Sequence, residues 1–333
     1  MRPVRNVHSS KDDGAAAVAN MVQRVWAEWS ARLVASRLAR VLRSPRAERL
    51  ITLNITAALV AIVIVKLHAL GLAVFAPLGR VGAVFWLVFV ADYLLTPAAE
   101  RVIYRWRWGR RGEILPTLLQ KQAANALLIP YSGETLLFAW ARRNGVATKA
   151  AFAAVKDVAL LSALAGSMGT IGLAAVGAGP LSKALGLSPA AMLASVGLLC
   201  SAPVLGLLIN RSLSTDGMHK APRIAAVQLA RVMLNVGLVA LMWRLLWPQV
   251  PASTWLMLSS GRLVVTRLPL IPQRDVALAA FTLVLLPGQQ ALTSAATITG
   301  ALLMLAHVLV WVLTQRWLPG AVTDGAVAAP AIG

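Results

Sequence analysis

Residues 113–143 read EILPTLLQKQAANALLIPYSGETLLFAWARR. The stretch is mostly apolar, but Ile129-Pro130-Tyr131-Ser132-Gly133-Glu134 interrupts it. Pro130 removes a helical hydrogen-bond donor and Gly133 permits a sharp turn. Basic segments flank it on both sides, with Arg101, Arg105, Arg107, Arg110 and Arg111 before it and Arg142, Arg143 and Lys149 after it. Basic loops next to membrane segments stay on the cytoplasmic side. A single crossing would put one of these two loops outside. The pattern therefore predicts a broken hairpin that enters the membrane from the basic side and returns to it.

The composition agrees with a membrane setting. The chain is 58% hydrophobic and 13% charged, against about 45–50% and about 25% for a soluble domain. Disorder is excluded by the same figures. A single cysteine, Cys200, excludes a disulfide scaffold. His8, His68, His219 and His307 lie too far apart in sequence to announce a metal cluster. The net charge of +20 would point to nucleic acid in a soluble domain. Its distribution says otherwise. Of 32 Lys and Arg, 22 fall in residues 1–50, 100–112, 141–149 and 211–223 and at Arg316, whereas the opposite loops hold only Arg80 and Lys183. The charge marks one face and sets topology, so no nucleic-acid partner is expected.

Apolar runs long enough to span lie at about 51–76, 78–99, 151–178, 188–210, 224–247 and 291–315. A second broken stretch, 254–287, carries Pro269, Pro272 and Pro287. If Arg316 is to end inside, this stretch must enter and leave from the outer face. The fold expected is an all-α integral membrane protein with about six spanning helices plus two re-entrant broken hairpins. Each half then reads span, span, hairpin, span, in opposite orientations, which is an inverted repeat of the kind found in transporters. Residues 1–50 form a cytoplasmic tail, 51–317 the polytopic membrane domain and 318–333 a disordered tail. Within the first tail, Val18, Val22, Val25, Trp29 and Leu33 recur at helical spacing over 16–44 among Arg24, Arg32, Arg37, Arg40 and Arg43. Such a basic amphipathic helix lies either on the anionic leaflet or on the protein's own cytoplasmic face. Trp106, Trp108, Trp243, Trp247, Trp311 and Trp317 stand where an interfacial belt would. Gly166, Gly169, Gly172, Gly177 and Gly179 suit close helix packing.

Eight basic residues remain in or near the apolar stretches: Lys66, Lys121, Lys156, Arg231, Arg244, Arg262, Arg267 and Arg274. An ionised group at the bilayer centre costs at least about 2.5–3.5 kcal/mol, so such groups pair or face a wet cavity. Glu134 ranks first among the acids. It follows the Pro130–Gly133 break, where freed backbone lines a cavity, or it caps the second half-helix. Lys121 on the first limb is placed to meet it. Arg267, Arg274 and Asp275 are the mirrored candidates. An Arg at an outer hairpin tip binds a lipid phosphate, or Arg274 pairs with Asp275 or snorkels. Lys156, Asp157 and Arg262 form a second tier, with Lys156 and Asp157 read alternatively as an interface pair.

No nucleophile–base pair, metal cluster or cofactor loop stands at a convincing spacing, so neither an enzyme nor a cofactor is expected. The order Asn125-Ala126-Leu127-Leu128-Ile129-Pro130-Tyr131-Ser132-Gly133-Glu134, then Arg142-Arg143, then Lys156-Asp157, resembles the transmembrane domain of lysylphosphatidylglycerol synthases and its stand-alone flippase-like relatives. The resemblance covers about residues 50–317, without the aminoacyltransferase domain. It implies a multi-pass protein of the bacterial inner membrane, both termini cytoplasmic, that moves an anionic phospholipid or lipid-linked intermediate between leaflets. The alternative is a scaffold or accessory subunit that binds a lipid-biosynthesis enzyme through the basic N-terminal helix. A reporter fused after Gly145 is expected on the cytoplasmic side, and its exposure outside would eliminate the first hairpin.

Overall fold

Among the described residues of the computed structural model, four helices are long and apolar enough to cross a membrane. The structure describes residues 72–109, 112–128, 131–176, 188–201, 213–265, 278, 282 and 290–314. Among these it is all-helical, with no strand. A 3-10 helix, Leu72–Arg80, precedes α1 (Ala83–Trp108). Two short helices follow, α2 (Leu115–Leu127) and α3 (Ser132–Arg143). Then come α4 (Thr148–Val176), α5 (Pro189–Leu199), α6 (Thr215–Leu246), α7 (Ala252–Val265) and α8 (Gln290–Thr314). The four long helices α1, α4, α6 and α8 have 26, 29, 32 and 25 residues. At about 1.5 Å per residue each exceeds the roughly 30 Å hydrocarbon core. Their outward faces are apolar, as at Leu87 and Val90 of α1 and Leu309 and Leu313 of α8.

Two helices run further than the hydropathy predicts. The segment 100–112 reads as a basic loop, yet α1 continues through it to Trp108. Ile103, Tyr104 and Trp108 are buried while Arg105 is exposed and Arg107 is paired in the interior, so the segment stays amphipathic and the charges do not end the helix. Gly109, at φ 72, then stops the helix in a conformation that side chains disfavour. In the same way α6 starts at Thr215, where the Ser214 hydroxyl accepts from the Gly217 N–H as a cap. Of the expected spans 51–76 and 188–210, only residues 72–76 and 188–201 are described, the former within the 3-10 helix. The basic helix 16–44 and the tail 318–333 lie outside the described residues.

α2 and α3 pack against each other. At their inner ends Gly133 lies against the Lys121 backbone, and at their outer ends Gly112 lies against Asn144 and Trp140. The two glycines do different work from the one expected of Gly133. Tyr131, at φ 71, sits at the reversal in the left-handed region. Gly133 instead sits in the first turn of α3, where a Cβ would come 2.7 Å from Lys121 Cγ and collide with the Lys121 carbonyl.

Among the described residues, two of the apolar clusters include residues of α1. One joins Phe85 and Phe89 of α1 to Met242, Trp243 and Leu246 of α6, Trp255 of α7, and Leu292 and Ile298 of α8. The other joins Ile103, Tyr104 and Trp108 of α1 to Leu118 of α2, Leu137 of α3, Val158 of α4 and Ile224 of α6. Two of the tryptophans expected at an interface belong to these clusters. Trp243 is fully buried, and its indole N–H donates to Thr299 Oγ1 at 2.8 Å. Trp108 stacks on Tyr104 with ring centroids 4.6 Å apart. Trp311 is also buried, whereas Trp106 remains exposed. A buried Trp is compatible with an apolar core once its N–H has an acceptor.

The small residues of α4 have a defined use at one position. A Cβ on Gly169 would lie 2.8 Å from Val232 Cγ1 and 2.9 Å from Met233 Cε of α6, whereas a Cβ on Gly172 meets nothing. Gly169→Val is therefore expected to destabilise the domain by about 1–3 kcal/mol through overpacking. Gly172→Ala should leave thermal unfolding in detergent unchanged or raise its midpoint. Equal effects of the two would refute this account of the α4–α6 contact.

Candidate functional site

Between the two apolar clusters, α1 turns a polar stripe toward its neighbours. Asp92, Thr96 and Glu100 recur every four residues, and Arg107 lies seven further on. On a helix these positions share a face. Asp92 and Glu100 are buried. On α6, which packs against α1, Gln228, Arg231 and Asn235 are spaced by three and four, which again gives one face. The two stripes meet, and α2, α3, α4 and α7 add groups to the layer they form.

Lys121 occupies the junction of α1, α2 and α3. Its Nζ lies 2.6 Å from Glu100 Oε1 and 3.4 Å from Glu134 Oε1. The Lys121 and Glu100 side chains are 8% and 10% exposed, so this is a buried cluster and not a surface pair. Asn125, one turn beyond Lys121, fixes the other side of Glu134. Its Nδ2 donates to Glu134 Oε2 at 2.9 Å, and its Oδ1 accepts from the Gly133 N–H at 2.7 Å. A free N–H in the first turn of α3 is thus capped by a side chain from α2, and Glu134 is left to bind charge rather than to cap its own helix. The missing Cβ of Gly133 lets the two limbs approach closely enough for both contacts.

Two further groupings lie along the same stripe. Asp92 Oδ1 accepts from Asn235 Nδ2 at 2.7 Å, and Asn235 Oδ1 accepts from Arg262 Nη1 of α7 at 3.3 Å. Arg231 donates through Nε to Gln228 Oε1 at 2.8 Å, through Nη1 to Thr96 Oγ1 at 3.1 Å and through Nη2 to Ser162 Oγ of α4 at 3.3 Å. Toward the basic end, Arg107 Nη2 lies 2.9 Å from Asp157 Oδ2, with the two side chains 3% and 0% exposed. Ser214 ties in α6, accepting from Arg107 at 3.0 Å and donating to Asp157 through its hydroxyl. A cleft of about 220 Å³ opens beside this end, lined by Tyr104, Arg105, Trp108, Gly112 and Trp140 among others.

The structure brings together Lys121, Gly133 and Glu134 from the residues that the sequence singles out. It places Arg262 in the separate Asp92–Asn235 group. Asp157 faces Arg107 and Ser214 across three helices, so its carboxylate is committed to the interior instead of to an interfacial pair. Pro130, Arg267, Arg274 and Asp275 lie outside the described residues. Glu100, Asn125, Arg107, Arg231 and Gln228 belong to the polar layer and were assigned no site from the sequence. Ending α1 at residue 99 placed Glu100 and Arg107 in a loop, although their spacing from Asp92 and Thr96 carries the helical signal.

No protein-family model matches the chain, and no curated protein or solved structure does either.

Removing Lys121 would leave the buried Glu100 and the half-buried Glu134 carboxylates without their counter-ion, a change worth about 3–5 kcal/mol when a buried pair is broken. Lys121→Met is expected to lower the unfolding midpoint in detergent accordingly. Adding Glu100→Gln to that variant should restore part of the loss. If the double variant is as destabilised as the sum of the two single ones, the ion cluster does not couple these helices.

Proposed function

We propose that the chain is a lipid translocator of the bacterial inner membrane that moves an anionic phospholipid or a lipid-linked intermediate between leaflets. The observation that carries this reading is the layer of buried ionised groups lying between two apolar clusters in helices long enough to span. Ionisable groups at membrane depth are costly and mark substrate paths. The resemblance of Asn125–Glu134, Arg142-Arg143 and Lys156-Asp157 to the flippase-like proteins supports the same reading.

In this proposal α2 and α3 form a hairpin that enters and leaves from the cytoplasmic side. Their 13 and 12 residues support it, since at about 1.5 Å each neither limb reaches across the hydrocarbon core. α7 is the first limb of the opposing hairpin, and six spans complete the inverted repeat. The cleft at Trp108 and Trp140, with Arg105 on its wall, suits an anionic headgroup arriving from the inner leaflet. Glu134 ties Lys121 to α3 while Glu100 ties it to α1, so the hairpin's two limbs and α1 are held through one ammonium.

Purified protein in proteoliposomes is expected to accelerate transbilayer movement of labelled phosphatidylglycerol. Glu134→Gln should slow that movement by roughly tenfold or more while the variant still inserts. Absence of acceleration by folded, monodisperse wild-type protein would overturn the translocator reading.

A further inference from the structure

The Arg231 guanidinium is held in the polar layer by neutral groups. Its three hydrogen-bond acceptors are Gln228, Thr96 and Ser162, and among the described residues no carboxylate lies within ion-pair distance of it. The Glu100 carboxylate, one turn along α1 from Thr96, is engaged by Lys121 at 2.6 Å. Glu100 therefore acts on Arg231 only from a distance, and a half-buried cation with no directly paired carboxylate is a costly arrangement.

The surrounding groups have donors left over. A guanidinium has five N–H donors, and three account for the contacts above. Gln228 is fully buried; its Oε1 accepts from Arg231, and its Nε2 has no partner among the described residues. The Thr96 and Ser162 hydroxyls accept from Arg231, so each keeps a proton to donate. What converges here from α1, α4 and α6 is therefore a positive charge with unspent donors. The complement is a group that carries negative charge and only accepts.

We propose that Arg231, Gln228, Thr96 and Ser162 form a binding site for a phosphate group at mid-depth in the domain. A phosphate offers several acceptor oxygens to the planar guanidinium fork and supplies the directly paired counter-charge that the described residues do not. The source is a phospholipid headgroup or a free phosphate ion. The lipid source rests on the translocator reading, whereas the site itself does not. The hydroxyls and the amide set orientation, and Arg231 supplies most of the affinity.

Native mass spectrometry of the detergent-purified full chain tests this. The probes are phosphatidylglycerol, diacylglycerol as the same tails without phosphate, and inorganic phosphate. The wild type is expected to retain phosphatidylglycerol and not diacylglycerol. Arg231→Gln should weaken that retention by about tenfold or more, with Arg231→Lys falling between. Gln228→Leu leaves the charge in place and reads the unspent amide should Arg231→Gln fail to fold. Binding of inorganic phosphate that depends on Arg231, without lipid retention, would assign the site to the free ion. Folded Arg231→Gln and Gln228→Leu variants that hold both phosphate probes as well as the wild type would overturn the site. Arg231-dependent lipid retention without translocation in vesicles would sink the translocator reading alone. Translocation by the wild type, together with folded variants that keep both phosphate probes, would sink the site alone.

Discussion

An ionised group taken out of water must meet its counter-charge inside the protein, and Lys121 meets this demand for three helices at once. Its ammonium lies between Glu100 of α1 and Glu134 of α3 while its own backbone belongs to α2. Shifting any one of these helices strands a charge, so the cluster fixes their mutual register more tightly than apolar contacts can. Apolar packing tolerates a slip of one side chain past another at modest cost. A buried ion pair does not, because the separated charges are left in a low-dielectric medium. The close approach at Gly133 and the cap from Asn125 follow from this requirement. Both are needed to bring Glu134 within reach of Lys121.

The two apolar clusters make that layer affordable. One gathers the aromatic residues around Trp243 and Trp255, and the other packs Tyr104, Trp108 and Leu118 near the basic end. Each clamps α1 and α6 on one side of the polar stripe. The Arg107–Asp157–Ser214 group performs a related task closer to the basic end, tying the starts of α4 and α6 to the end of α1. The hydrogen bond between Tyr93 and His307, at 3.0 Å, joins α1 to α8 on the aromatic side. The polar layer is thereby closed above and below by structure that does not itself carry the charge.

Much of this was legible in the sequence. Hydropathy located the long helices to within a few residues at their apolar ends, and the interruption within 113–143 marked the division between α2 and α3. Lys121 and Glu134 were legible as partners because both are ionised residues in a short apolar stretch. What hydropathy could not show is where a helix continues through charge. Arg101, Arg105 and Arg107 lower the local hydropathy enough to end a span at residue 99, while Ile103, Tyr104 and Trp108 keep the segment amphipathic and helical. Residue class also hid the neutral members. Gln228, Asn125 and Asn235 look unremarkable in a list of polar residues, and only the packing of α1 on α6 and of α2 on α3 reveals what they hold.

The layer's charges balance in number but not in place. Among the described residues, Asp92, Glu100, Glu134 and Asp157 oppose Lys121, Arg107, Arg231 and Arg262, four against four. Yet Lys121 faces two carboxylates, while Arg231 is bonded to neutral oxygens. Stability does not call for this arrangement, since well-packed apolar residues in place of a buried ionic group are often neutral or stabilising. A bundle built only to persist in a membrane would be served by extending its two apolar clusters until they met. Keeping an excess of negative charge at one point and of positive charge a helical turn away maintains a local field along α1 that internal pairing would otherwise cancel. The clusters on either side hold the charges that make this field in position.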